Sequence, residues 1–105
     1  MTEAVLILTT AADEAEAQTI AQELVERRVA ACVNIVPRIQ SIYRWEGKVE
    51  TAEEFLLIIK TTKVRSADVK SAIRELHSYD LPECIVISME DGSAEYLKWI
   101  EESVS

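Results

Sequence analysis

The sequence predicts an α+β fold with the element order β-α-β-β-α-β followed by a C-terminal helix. Four short segments are apolar or alternate in the way typical of strands, and stretches with helical spacing separate them. The two central strands adjoin as a hairpin at Glu46-Gly47. With right-handed crossovers, this order gives the split βαβ, ferredoxin-like arrangement, with a sheet order of 4-1-3-2 when strands are numbered along the chain.

The first part of the chain predicts a strand and a helix. Residues 4–8 form an apolar run, which is typical of a central strand covered on both faces. Asp13 and Glu16 have the spacing of a capping box, so a helix should begin after Asp13. Apolar side chains then recur on one side of this helix, at Ala17, Ile20, Ala21, Leu24 and Val25.

The next two strands predict a long hairpin. The first arm alternates apolar and polar residues from Cys32 to Trp45, which predicts one apolar face, and the second arm ends in the apolar run 55–59. Arms of about 14 residues would reach about 45 Å, whereas a domain of this length is about 33 Å across. The hairpin should therefore extend beyond its own domain and expose Tyr43 and Trp45, which another subunit would cover.

Two helices and one strand complete the predicted fold. Ser66 is predicted to cap the second helix, whose apolar residues recur at i, i+3, i+4 and i+7 until it ends near His77. A turn at residues 79–82 leads into a fourth strand over residues 83–89. Ser93 is predicted to cap the last helix.

Composition and charge narrow the functional classes. The chain has 105 residues, 49% of them hydrophobic, which predicts a single domain over residues 1–105. A formal net charge of −8 argues against nucleic-acid binding, because such proteins neutralise phosphates with clustered Lys and Arg. No apolar run approaches the ~18 residues of a membrane span, and the first residues lack the basic region of a signal peptide. We therefore expect a cytoplasmic protein with reduced thiols that binds neither nucleic acid nor membranes.

The reactive side chains are predicted to lie at opposite ends of the sheet. The topology places Cys32 and Lys60 at one end, and at the other end it places His77, Tyr79, Glu83 and Cys84. The two thiols should therefore be too far apart for a disulfide within one chain. Cys32 is either a small buried hydrophobe or a reactive thiol, and Lys60 either a surface amine or an anion contact. His77 is either a helix C-terminal residue favoured by the helix dipole or a metal ligand.

Sequence motifs for catalysis and for closed metal sites are absent. The chain has no CxxC or HxxxH pattern, which argues against a structural zinc site. Its two glycines cannot form a Gly-rich phosphate loop, and its single histidine has no nearby nucleophile and orienting Asp. From the residues alone, we expect an oligomeric binding domain that is not an enzyme.

Five segments together resemble the CutA family of divalent-cation tolerance proteins. They are residues 31–37 (ACVNIVP), 41–48 (SIYRWEGK), 59–61 (IKT), 77–83 (HSYDLPE) and 92–99 (GSAEYLKW). The resemblance covers essentially the whole chain. It implies a homotrimer of ferredoxin-like subunits, PII-like in architecture, whose long hairpins pack against neighbouring subunits. It also implies a link to copper and other divalent cations, with clefts between subunits as the sites.

The family's functional positions fall on seven residues of this chain: Cys32, Tyr43, Trp45, Lys60, His77, Tyr79 and Glu83. Cys84 occupies a position that is usually aliphatic in the family and adds a soft ligand beside Glu83. Cys32, His77 and Cys84 are the expected metal ligands, because thiol and imidazole groups suit copper and similar ions. Since they do not converge within one chain, a site built from them would be shared between subunits, and folding should not require the metal. Tyr43, Trp45, Lys60, Tyr79 and Glu83 are the expected ligand contacts.

Two other functions remain open. The chain could be a PII-like regulatory module that binds a small anion between subunits through Lys60, Tyr43 and Glu83, and signals to a partner protein. Acyl-phosphate hydrolysis is a weaker alternative, because residues 9–12 (TTAA) lack the Gly and Arg of an anion-cradling loop.

Overall fold

The structure is a computed structural model that describes residues 2–105. Its elements are β1 (Ala4–Ala11), α1 (Glu14–Glu26), β2 (Cys32–Trp45), β3 (Lys48–Thr62), α2 (Lys63–Leu76), β4 (Ile85–Ser88) and α3 (Ala94–Ser103). The strands form one antiparallel sheet in the order β2-β3-β1-β4. This is the predicted order 4-1-3-2 counted from the other edge, so the predicted fold is confirmed.

One face of the sheet, here termed the helix face, carries the main core. The alternation of β1 and β3 places Val5, Ile7, Leu57 and Ile59 on this face, and all four are fully buried. The amphipathic helices α1 and α2 cover it with their apolar sides. Their main buried contributions are Ala17, Ile20, Leu24, Val69, Ala72 and Ile73.

The opposite face, here termed the open face, is covered by α3 at one end only. There the Lys60 Nζ donates to Tyr96 Oη at 3.3 Å, and Ile100 of α3 is fully buried. Beyond α3 the face is apolar and only partly buried, and it comprises Leu6, Leu8, Val36, Ile39, Leu56, Ile58, Ile85 and Ile87. The sequence predicted that the central strands are covered on both faces. A single chain covers them fully only on the helix face.

A β-bulge in β2 changes the predicted one-faced pattern. Val36 pairs with Leu56, but the next paired residue, Ile39, lies opposite Glu54, so β2 has one more residue than β3 between these pairs. Arg38 adopts the positive φ of 55° that the bulge requires. Odd-numbered residues before the bulge therefore lie on the helix face, and those after it lie on the open face. The prediction of one apolar face along the whole strand is wrong for this reason.

The hairpin turn and its overhang agree with the sequence. Glu46 and Gly47 have φ values of 49° and 78°, the pairing of positive φ angles typical of a two-residue hairpin turn. The molecule measures 44 × 25 × 22 Å, and its long axis matches the length expected of the hairpin. Ile42 and Val49 near the tip are 67% and 66% exposed, so this chain alone leaves the tip uncovered.

Helix caps are confirmed at two of three predicted positions. Asp13 Oδ1 accepts a hydrogen bond from the Glu16 amide at 2.8 Å, and Ser93 Oγ accepts one from Tyr96 at 3.3 Å. The predicted cap at Ser66 is wrong, since α2 begins directly after β3 with Thr62 at its N-terminus. Ser66 Oγ instead donates to the carbonyl of Lys63 within the first turn.

The fourth strand is shorter than predicted. Only the four residues from Ile85 to Ser88 pair with β1, whereas a strand over residues 83–89 was expected. Glu83 and Cys84 instead end the loop that enters the strand. Among residues 2–105, no helix is both long and apolar enough to cross a membrane.

Candidate functional site

A cavity of about 610 Å³ opens between the hairpin and the loop that joins α2 to β4. We term it the hairpin cavity. Tyr43 and Trp45 of β2 and Glu54 of β3 form its sheet wall, and residues 78–83 form its loop wall. The bulge in β2 is what brings these side chains together, because it moves Tyr43 and Trp45 onto the same face as Glu54.

Glu54 is a buried carboxylate on the sheet wall of this cavity. Its exposure is 7%, and the Tyr79 Oη donates a 2.8 Å hydrogen bond to its Oε2. Burial and the adjacent Glu54 carboxylate raise the pKa of Tyr79, so its phenol stays protonated and remains a donor. Burial also raises the pKa of Glu83, and the nearby charge of Glu54 adds to this effect.

His77 holds the loop wall through both ring nitrogens. Its Nε2 donates to the carbonyl of Thr10, and its Nδ1 accepts a 3.1 Å hydrogen bond from the Tyr79 amide. These partners require the neutral ring with its proton on Nε2. A metal ion at either nitrogen would have to replace one of these hydrogen bonds, so the ring as placed has a positioning role.

Glu16 ties the same loop to the first turn of α1. Its Oε2 accepts from the Ser78 amide at 2.9 Å, and its Oε1 accepts from the Ala12 amide at 3.1 Å. Partial burial opposes ionisation, but these hydrogen bonds outweigh it and lower the pKa of Glu16. The loop wall is therefore anchored to β1 through His77 and to α1 through Glu16.

Four of the five expected ligand contacts meet in the hairpin cavity, namely Tyr43, Trp45, Tyr79 and Glu83. Lys60 does not join them, because it pairs with Cys32 at the far end of the sheet and contacts Tyr96. Within one chain, the cation required by the anion-binding alternative is thus absent from this cavity.

Sequence reasoning did not single out Glu54. The pair Glu53-Glu54 precedes an apolar run and resembles a solvated strand start. The periodicity of the strand could have identified Glu54 as a site residue. It lies two residues before Leu56 and four before Ile58, so it shares their face of the sheet.

The three expected metal ligands remain apart within the chain. The half-buried Cys32 thiol lies beside Asn34, with 3.8 Å between Sγ and Oδ1, on the edge strand β2. Cys84 packs against the main core at the other end of the sheet, and burial raises the pKa of its thiol. Both cysteines are free. In the described residues 2–105, no three His, Cys, Asp or Glu side chains lie close enough to hold a metal ion together.

Comparison with known proteins relates this fold to one family. The family model described as "CutA1 divalent ion tolerance protein" matches residues 5–103. The "Divalent-cation tolerance protein CutA" of Thermus thermophilus is 47% identical over 98 residues, which cover 93% of this chain and 95% of that protein.

Solved structures agree with the sequence comparison. The crystal structure of CutA from Xylella fastidiosa superposes with a TM-score of 0.97 at 39% identity, covering 99% of this chain and 100% of that one. The structure of the "Periplasmic divalent cation tolerance protein CutA" from Archaeoglobus fulgidus gives a TM-score of 0.94 at 43% identity, with 97% and 99% covered.

Proposed function

Since this chain belongs to the CutA1 family of divalent ion tolerance proteins, we propose that it is a homotrimer that binds divalent cations, copper foremost, at sites between its subunits. The observation that carries the proposal is the separation of Cys32, His77 and Cys84 within one chain. Donors that cannot meet within a subunit form a multidentate site only when neighbouring subunits bring them together.

The open face supports assembly into an oligomer. It leaves a continuous apolar surface around Leu8 and Ile58 at the centre of the sheet, and Ile85 and Ile87 of β4 are 49% and 42% exposed. Monomeric proteins rarely expose apolar patches of this kind. A closed ring of three copies would bury both this face and the overhanging hairpins.

Cys32 is the best-placed copper ligand of the three candidates. It lies on the open face, in register with Lys60, and its thiol makes only a long contact to Asn34. Thiols bind Cu(I) well because both partners are soft. Cys84 is packed against the core, and both nitrogens of His77 are hydrogen-bonded, so these two donors would need local rearrangement.

A role without catalysis is supported by the same contacts. The two ring nitrogens of His77 are held by Thr10 and Tyr79, so this imidazole is not free to act as a base for Cys32 or Cys84. A nucleophile needs an adjacent base to be activated. The arrangement therefore fits binding better than acyl or phosphoryl transfer.

We also propose a cytoplasmic location, in keeping with two free cysteines. One relative in Archaeoglobus fulgidus is described as periplasmic, so the location should be measured. Fractionation of the source cells, with thiol alkylation before lysis, should recover the protein in the cytoplasmic fraction with both thiols labelled. Recovery in another compartment would refute the cytoplasmic location.

Calorimetric titration with Cu(I) and Cu(II) tests the metal-binding proposal. The variants are Cys32→Ala, Cys84→Ala and His77→Ala, each first shown to keep the wild-type oligomeric mass. Loss of a direct ligand should weaken Cu(I) binding by more than about tenfold in Cys32→Ala, with smaller losses in the other two. Equal affinity in all four proteins would leave only weak binding by surface carboxylates and would contradict the proposed sites.

A further inference from the structure

The outer side of α2 carries a line of positive charge. Lys63, Lys70 and Arg74 are exposed and stand seven and four residues apart, so they follow one another along one side of the helix. We term these three residues the basic stripe. Among residues 2–105 none of them forms an ion pair, although the whole chain has a formal net charge of −8. The basic stripe is therefore a local reversal of charge on an acidic protein.

The acidic residues of α2 are neutralised by other cations. Asp68 accepts from the Arg65 guanidinium at 3.3 Å, and Glu75 accepts from the Arg27 guanidinium at 2.9 Å. Both carboxylates lie about a third of a helical turn away from the basic stripe. The charge of the stripe thus stays available to a group outside the chain.

Exposed small and apolar side chains border the basic stripe. Ala67 and Ser71 lie beside it, and Val64 in the first turn of α2 is 80% exposed. Small side chains shorten the distance at which a second helix can pack, and an exposed valine offers apolar area to it. The surface therefore combines charge with a low strip that a second helix can contact closely.

The proposed trimer leaves this surface free. The opposite side of α2, with Val69, Ala72 and Ile73, is buried against the helix face of the sheet. The proposed subunit contacts instead use the open face and the hairpins, on the other side of the sheet. The exposure of the basic stripe is thus a property of the assembled protein as well as of the single chain.

We propose that the basic stripe docks an acidic helical segment of a partner protein. Carboxylates repeated along one side of that segment would pair with Lys63, Lys70 and Arg74, which span about 16 Å of helix. Clusters of basic side chains recognise acidic motifs in this way. The apolar contact at Val64 has no counterpart on a phosphate backbone, and an extended polyanion would also meet the acidic remainder of the surface.

A matched pair of synthetic peptides tests the proposal on the full-length protein. Both are alanine-based amphipathic helices with a fluorescent label, and one carries four glutamates spaced four, three and four residues apart where the other carries glutamines. Fluorescence anisotropy should show the glutamate peptide binding at least about tenfold more tightly at low salt. Its affinity should fall when salt is raised to about 0.3 M. Equal affinity for the two peptides, or no binding of the glutamate peptide at millimolar concentration, would overturn the proposal.

Two variants of equal charge locate the surface. Lys70→Gln removes the central cation of the basic stripe and should weaken binding of the glutamate peptide by at least about fivefold. Arg28→Gln is the control, because Arg28 is exposed after α1 and also forms no ion pair among residues 2–105. Its affinity should stay within about twofold of wild type. Equal losses in the two variants would identify an effect of net charge alone and contradict the docking surface.

A competition experiment separates a protein segment from other polyanions. Peptide bound to the wild-type protein is challenged with a single-stranded oligonucleotide and with phosphatidylserine vesicles, each at the same concentration of negative charge. Neither competitor should displace half of the peptide. Displacement of most of the peptide by either one would assign the basic stripe to nucleic acid or to membranes and overturn the proposal.

Discussion

Thr9 and Thr61 are fully buried on the helix face, but their hydroxyl groups have different surroundings. The Thr61 Oγ1 donates a 2.6 Å hydrogen bond to the carbonyl of Val29. The Thr9 Oγ1 is buried and has no hydrogen-bond partner among the described residues. Because an unpaired buried hydroxyl destabilises a fold and a paired one does not, the same substitution should have opposite effects at these positions.

Thr9→Val should raise the free energy of unfolding by about 1 kcal/mol, because it replaces an unpaired hydroxyl with a methyl group. Thr61→Val should lower it by about 1 to 3 kcal/mol, because the Val29 carbonyl loses its donor. Guanidinium unfolding at one fixed protein concentration measures both changes. Shifts of the same sign in both variants would contradict this account of the two hydroxyls.

The candidate site was predicted from the sequence only in part. Tyr43, Trp45, Tyr79 and Glu83 were named and do meet in one cavity. Glu54 was missed because a carboxylate before an apolar run usually faces solvent. Its burial depends on the loop after α2, whose path is set by hydrogen bonds of His77 and Glu16 that no local pattern reveals.

Among the elements, β2 shows which structural features sequence periodicity predicts and which it does not. Alternation predicted its length and its hairpin partner correctly, because those depend on local apolar spacing and on the turn at Glu46-Gly47. The bulge between Val36 and Ile39 exchanges the faces, and only the cross-strand register shows it. Pro37 lies within the bulge, a position where proline is tolerated in a strand.

Two serines provide a matched test of helix capping. Ser93→Ala should lower the free energy of unfolding by about 1 kcal/mol, because Ser93 caps α3 by accepting from the Tyr96 amide. Ser66→Ala should change it by less than about 0.5 kcal/mol, because Ser66 is partly exposed inside α2 and alanine is a good helix former. Thermal unfolding at equal concentration compares the two. A larger loss from Ser66→Ala would contradict the observed start of α2.

At the scale of the molecule, sheet order and hairpin overhang were predictable from the sequence. The order follows from the succession of elements and the hand of their connections, and the overhang follows from the length of the strands. The degree of exposure of the open face was not predictable, because apolar runs on β1 and β3 do not reveal whether the cover comes from the same chain.

A charge on the open face should break the assembly. Ile87 lies on this face and is 42% exposed, so Ile87→Glu would place a carboxylate in the proposed subunit contact. Loss of a buried isoleucine removes roughly 1.5 to 3 kcal/mol per copy, and the charge adds to that penalty. Light scattering should show dissociation of this variant at micromolar concentration. Val64→Glu is the control, since Val64 is 80% exposed on α2, and its mass should match that of wild type.

The central claim is that the chain is a trimer with metal sites between its subunits. Native mass spectrometry of the wild-type protein with copper tests this claim most directly. The spectrum should show an assembly of three times the 11.8 kDa chain mass that retains copper. Collisional release of single subunits should yield chains that have lost most of the metal. A monomer near 11.8 kDa in the wild type, or copper retained equally by released single chains, would contradict the claim.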